Sequence, residues 1–264
     1  MASTRRLIVN ADDLGFTRDV NTGILEAHQR GILTAATLMA NGAAFDHAVA
    51  LARENPSLDV GCHLVLVGGP EQPPTVRHLA VRVLASRSRE WIEQELSAQV
   101  EKMLRAGLQP SHLDTHKHTH LLPPVLKAVC RVARRFGIPW VRRPFDLPLT
   151  GSAPLATRGV NAAVGLLRRP FSSALARHQC RTTDHFAGFQ WTGAFGAAEL
   201  VRLIHSLPEG LTELMCHPGH CTDELRRART RLKESRAAEL RALVAPQVRQ
   251  ALREAGVELT NYRQ

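Results

Sequence analysis

Arg6-Leu7-Ile8-Val9-Asn10-Ala11-Asp12-Asp13-Leu14-Gly15-Phe16 begins as a short apolar run and ends on two carboxylates and a glycine turn. An apolar run without polar alternation is what a strand covered on both faces of a parallel sheet looks like. Thr17 to Arg30 follows as a helix, with Val20, Ile24, Leu25 and Ala27-His28 near core-facing spacing and Gly31 as its stop. Strand, turn and helix in that order make a β/α unit with its acidic pair at the C-terminal end of the strand.

The same alternation continues to the C-terminus. Strands are expected at Thr34 to Met39, Leu58 to His63, Ile138 to Arg142, Leu211 to Cys216 and Val257 to Tyr262. Helices are expected at Phe45 to Glu54, Arg89 to Leu104, Val125 to Phe136, Ala197 to Ser206 and, as a basic stretch, Asp223 to Val244. In the second of these helices Ile92, Leu96, Val100 and Leu104 recur four apart. Residues 65–80 hold several Gly and Pro and are expected to run over the surface. The composition does not break anywhere, so residues 1–264 are taken as a single α/β domain with a mostly parallel sheet, carrying a less regular basic insertion at about 146–195. An open doubly wound sheet and a (β/α) barrel both fit this pattern. The first strand lacks the G-x-G-x-x-G turn of a dinucleotide fold, and no phosphate-binding P-loop occurs.

At 264 residues, 44% hydrophobic and 22% charged, the composition is that of an ordinary globular protein. The formal charge of +10 invites a nucleic-acid reading, but aromatics make up only 5% and no nucleic-acid module is recognisable. Thirty of the 34 basic residues are arginines, scattered through Arg-Ala-rich helical stretches. Two denser regions, Arg168-Arg169 to Arg181 and Arg226 to Arg236, are expected to be solvated helix faces or to meet an anionic partner. Five cysteines without a C-x-x-C make no disulfide framework. With no apolar signal core and no run of membrane-span length, a reducing, cytoplasmic location is expected, with peripheral contact at the inner face of the membrane left open.

The chemistry concentrates in Leu113-Asp114-Thr115-His116-Lys117-His118-Thr119-His120. If that run is extended, a period of two turns all three imidazoles to one side. Asp12-Asp13, His63, His116 to His120, Arg142 and His217 all fall at C-terminal ends of expected strands, which share one face in a parallel α/β fold. One carboxylate of the Asp pair, His63 and a histidine of the run then suffice for a catalytic metal site, three protein ligands leaving positions open for water.

In order, Leu7-Ile8-Val9-Asn10-Ala11-Asp12-Asp13-Leu14-Gly15, Val60-Gly61-Cys62-His63-Leu64, Asp114 to His120, and Met215-Cys216-His217-Pro218-Gly219 resemble the successive motifs of the YdjC-like carbohydrate deacetylases. His-Lys-His-x-His together with Thr183-Asp184-His185-Phe186 is similar to the hopanoid-biosynthesis-associated branch. The resemblance implies a distorted (β/α) barrel and a hydrolase that uses one divalent metal ion, magnesium or zinc, to remove acetyl groups from N-acetylated sugars or glycolipids. It implies Asp13, His63 and His116 as metal ligands, Asp12 as general base, His217 as general acid and Arg142 as the residue that orients the base. His118 and His120 would act on the sugar or behind the ligands. The basic amphipathic segment Val160 to His178 would meet a lipid-linked substrate at a membrane, and a homo-oligomer is compatible with all of this. Competing expectations are a dinuclear phosphoesterase, a metal-binding scaffold without turnover, and a basic nucleic-acid-binding protein.

Overall fold

β1 (Arg5–Leu14) is the central strand of a computed structural model that describes residues 4–69, 72–84, 88–147, 159 and 162–264. The chain continues through α1 (Arg18–Arg30), β2 (Ala35–Leu38), α2 (Phe45–Glu54), β3 (Asp59–Leu64), α3 (Val76–Arg82), α4 (Ser88–Arg105) and β4 (His112–Thr115). A 3-10 turn (His116–Leu121), α5 (Pro123–Arg135), β5 (Trp140–Val141), α6 (Arg168–Arg177), β6 (His185–Ala187) and α7 (Ala197–Ser206) come next. The chain ends with β7 (Gly210–Cys216), α8 (Asp223–Arg227), α9 (Glu234–Leu243), α10 (Pro246–Ala255) and β8 (Val257–Leu259).

Every strand pairing is parallel, in the order β5-β4-β3-β2-β1-β7-β6. β8 lies along the first residues of β1, beneath the point where β2 begins to pair. Two isolated parallel bridges, Trp140 to Arg181 and Asp146 to Phe186, join the β5 edge to the β6 edge. The sheet therefore curls into a distorted barrel, and the barrel rather than the open doubly wound sheet is the architecture.

The pleat separates two cores. Leu7, Val9 and Ala11 point outward and join the large cluster under the helices, with Ile24, Ala27, Leu96, Val129 and Leu203. Ile8, Ala35, Trp140, Leu211 and Tyr262 form a small separate apolar layer. The alternate positions further along the same strands are buried and polar: Asn10, Thr37, His63, His112, Asp114 and Glu213. Gly61 is required there, since a Cβ would stand 2.5 Å from the His112 ring.

Several expected boundaries shift. β1 runs on to Leu14, so the acidic pair lies inside the strand rather than after it. The excursion after residue 65 contains α3, capped by the Thr75 side chain. The region 146–195 contains α6 and β6, with residues 148–158 and 160–161 outside the described part. In α6 the apolar face (Phe171, Ala174, Leu175) is buried against the protein, and Arg168, Arg169 and Arg177 face out. The basic stretch from Asp223 is not one helix but α8 and α9, separated by Ala228 to Lys233. Among the described residues no helix is long and apolar enough to cross a membrane.

Candidate active site

Strict alternation would send Asp12 and Asp13 to opposite faces of β1. Instead the register with β2 is irregular between Ala11 and Leu14, and Asp13 takes φ 68°, a left-handed conformation that aspartate tolerates better than most residues. The bulge turns both carboxylates toward the mouth of the barrel. Gly15 then makes the turn, its N–H donating to Asn21 Oδ1 at 2.6 Å, and Thr17 caps α1.

Asp13, His63 and His116 meet there. His63 Nε2 lies 3.3 Å from Asp13 Oδ1, His116 Nδ1 lies 3.2 Å from the same oxygen, and the two ring nitrogens are 3.3 Å apart. Ligand atoms about 2.1 Å from one ion lie about 3.0 to 3.4 Å from each other, so this triangle matches a single small divalent cation. Asp13 Oδ1 is buried and accepts no hydrogen bond, as an oxygen reserved for a cation would. Behind His63, Asp114 Oδ1 accepts from Nδ1 at 2.8 Å and Thr37 braces that carboxylate, which leaves Nε2 facing the triangle. The three residues form a group that could hold a metal ion. A second such group, Asp12, His63 and Asp114, is a poorer fit because a guanidinium already occupies both of its carboxylates.

That guanidinium belongs to Arg142, which follows β5 and is 1% exposed. It donates to both oxygens of Asp12 at 2.7 and 2.8 Å, to Asp114 at 2.6 Å and, from Nε, to Glu213 at 2.6 Å. Burial would raise the Asp12 carboxyl, but the Arg142 charge outweighs it and holds Asp12 well below the usual carboxylate range. Asp13 behaves likewise through Arg236, whose Nη2 pairs with Asp13 Oδ2. Burial would lower His63, yet the Asp114 carboxylate pushes it up to about 10. His217 goes the other way: burial lowers it to about 4 against the pull of Asp12 and Asp13. His217 Nε2 stands 3.9 Å from Asp12 Oδ2.

A cavity of about 480 Å³ opens over these groups, lined by Asp12, Asp13, His63, His116, His118 and His217 on one side and Phe189, Thr192 and Leu232 on the other. A larger one of about 910 Å³ adjoins it through Phe16, His116, Lys117 and Arg229.

The YdjC-like protein family model matches residues 6–254. The chain belongs to the YdjC-like family. A carbohydrate deacetylase from Geobacillus stearothermophilus is 34% identical over 98% of this chain and 98% of its own length. One from Brevibacillus brevis is 33% identical over 97% of this chain and 98% of its own. A crystal structure from Enterococcus faecalis V583, described as a cellobiose-phosphate cleavage protein, superposes with a TM-score of 0.77 at 24% identity, covering 99% of this chain and 98% of that one. At that identity the superposition speaks for the fold.

Within the YdjC-like chain the expected residues Asp12, Asp13, His63, His116, His118 and His217 all line one cavity, with Arg142 directly behind Asp12. The expected one-sided alternation of the three histidines does not occur. β4 ends at Thr115, and Lys117 and His118 take φ 54° and 51° within a 3-10 turn, so the imidazoles diverge. His116 faces the triangle and His118 packs its ring 5.1 Å from that of Phe189. His120 does not line the cavity; it is fully buried, bonds Thr115 Oγ1 and the Arg142 carbonyl, and is lowered to about 3 by burial and the Arg142 charge. The expectation of a solvated face for Arg226 to Arg236 fails at its last residue, since Arg236 is 1% exposed and pairs with Asp13. Glu213, Arg236 and Glu239 belong to the site and were not expected. Glu213 had a signal, a lone carboxylate inside the apolar run Leu211 to Cys216; Arg236 and Glu239 are lost among the charged residues of an Arg-Glu-rich helix.

Proposed function

We propose that this protein is a metal-dependent hydrolase that removes the N-acetyl group from an N-acetylated sugar. The observation that carries the proposal is the Asp13-His63-His116 triangle, open to a cavity that also holds Asp12 and His217. The likeness to carbohydrate deacetylases over nearly the whole chain supports it. Two imidazoles and one carboxylate suit zinc better than magnesium, which prefers oxygen ligands.

An amide is a poor electrophile and its amine a poor leaving group, so hydrolysis needs help at both ends. A divalent ion on Asp13, His63 and His116 would supply a lowered pKa for water and polarisation of the acetyl carbonyl. Asp12, aimed by Arg142, takes one proton as the water oxygen bonds to the carbonyl carbon. An aspartate held this acidic does not keep the proton. His217, neutral at rest and 3.9 Å away, collects it and delivers it to the nitrogen as the C–N bond breaks; the water's second proton, left on the carboxyl product, passes to the amine, so that acetate and an ammonium group leave.

The larger adjoining cavity leaves space for whatever the acetylated sugar is attached to. Similarity to the hopanoid-associated branch extends the proposal to a lipid-linked N-acetylglucosaminyl substrate. The exposed arginines of α6, not its apolar face, would then meet an anionic surface. A dinuclear phosphoesterase is disfavoured by Arg142, which neutralises the carboxylates a second ion would need. The test is to incubate the metal-loaded protein with N-acetylglucosaminyl compounds, with and without a lipid aglycone, and quantify acetate. Release that EDTA abolishes is expected; no release from any of them contradicts the proposal.

A further inference from the structure

The wall of the catalytic cavity opposite the histidines is the segment Gly188 to Phe195 between β6 and α7, which presents Phe189 and Thr192. Two buried carboxylates hold it from behind. Asp146 accepts from the N–H of Phe189 through Oδ1 at 3.0 Å and from that of Gln190 through Oδ2 at 2.7 Å. Glu239, on α9, accepts from the N–H of Gly193 through Oε1 at 3.0 Å and from that of His217 through Oε2 at 2.5 Å. Asp146 is 7% exposed and Glu239 1%, and among the described residues neither forms an ion pair with a lysine, arginine or histidine.

Burying a carboxylate without a paired cation is costly. What a carboxylate offers in return is two acceptor oxygens and no donor, so each side chain here grips two backbone N–H groups at once. An amide side chain of the same shape would satisfy one N–H and turn its own NH₂ against the other. Within the segment, short turns are closed by the Trp191 N–H on the Gly188 carbonyl at 3.2 Å, the Ala194 N–H on the Trp191 carbonyl at 2.7 Å and the Thr192 hydroxyl on the Phe189 carbonyl at 2.9 Å. Gly188 and Gly193 sit at φ 120° and 75°, where side chains are disfavoured. The two carboxylates are what tie these turns to the chain at Asp146 and to α9.

We propose that Asp146 and Glu239 are positioning residues, Asp146 fixing the substrate-facing wall through Phe189 and Gln190, and Glu239 tying that wall to the strand end that carries His217. Asp146 holds the wall alone, whereas Glu239 holds both the wall and the backbone N–H of His217, whose ring carries the proton, so the two have separable effects. The kinetic part of the proposal rests on the deacetylase function; the structural part does not.

The experiment compares the metal-loaded full chain with Asp146→Asn and Glu239→Gln, measuring amide hydrogen exchange and the kinetics of acetate release. In Asp146→Asn at least one of the Phe189 and Gln190 amides should exchange about tenfold faster or more, with KM raised several-fold and kcat within about twofold. In Glu239→Gln at least one of the Gly193 and His217 amides should speed up instead, and kcat should fall about tenfold. If Glu239→Gln does not fold, Glu239→Asp is used; its shorter arm reaches one N–H group, so one of those two amides alone should exchange faster. Unchanged exchange at these amides, a uniform rise across the whole chain, or identical kinetic effects of the two variants would overturn the proposal. A wild-type protein that releases no acetate would defeat the deacetylase function, and the exchange pattern would still decide whether these carboxylates hold the wall.

Discussion

Burial would lower His63, but Asp114 accepts from its Nδ1 at 2.8 Å and the Asp13 carboxylate stands 3.3 Å from its Nε2, and these two charges raise it to about 10. An imidazolium cannot ligate, so metal uptake must expel a proton. Because the folded value lies above the ordinary 6.5, the stabilisation from His63 is complete below that value and is lost as pH rises through about 10. Between those limits the apparent metal affinity should increase about tenfold per pH unit, with about one proton released per ion. Isothermal titration at pH 6.5 and 8 in two buffers of different ionisation enthalpy measures both; a pH-independent affinity would contradict the assignment. Asp12→Asn should keep the ion and the fold and lower kcat by about 10² to 10⁴; full turnover would remove Asp12 from the base role. At this scale the sequence was informative where a residue stood at a strand end: Asp12, Asp13, His63, Arg142 and His217 were all nameable. It was uninformative where a partner came from a distant element. Nothing local to Arg236 says that Asp13 lies across from it, 223 positions away.

The β/α units could be read from apolar periodicity, and α2 and α7 lie where that spacing puts them. The histidine run could not, because its geometry follows from two left-handed residues that no alternation rule anticipates. α9 was also obscured, since its site-facing residues Arg236 and Glu239 differ in no chemical respect from the solvated arginines and glutamates beside them. The close approach of α1 to the turn after β7 is an element-scale feature open to test. A Cβ on Gly23 would lie 2.4 Å from Gly219 Cα and 2.8 Å from the His220 nitrogen. Gly23→Ala should therefore cost about 1 to 3 kcal/mol despite the better helix propensity of alanine, and should lower kcat by displacing His217. Urea denaturation together with acetate release checks this; a more stable variant would show that the turn yields freely.

Across the whole molecule the barrel interior is divided by height. An apolar layer with Tyr262 lies below, the Arg142 cluster with His112 and Glu213 in the middle, and the Asp13-His63-His116 group at the C-terminal mouth. The C-terminal residues complete that lower layer: Tyr262 stacks on His112 with ring centroids 3.8 Å apart, and its N–H donates to Asp59 at 2.9 Å. Tyr262→Ala should lose about 3 kcal/mol of stability while leaving metal stoichiometry intact, as urea denaturation and metal analysis would show. The net charge of +10 belongs to the outer surface, where most arginines point to solvent. Alternation of elements was enough to infer a parallel α/β domain, but not its closure, which depends on two single bridges without strand patterning. The central claim is that one ion is held by Asp13, His63 and His116 and drives acetate release. Elemental analysis of the purified wild type and of His63→Ala, each assayed in parallel for EDTA-sensitive acetate release, tests it most directly. One divalent ion per wild-type chain, with both ion and activity lost in the variant, is the expected result; two ions per chain, or a His63→Ala protein that keeps its ion and its turnover, would contradict it.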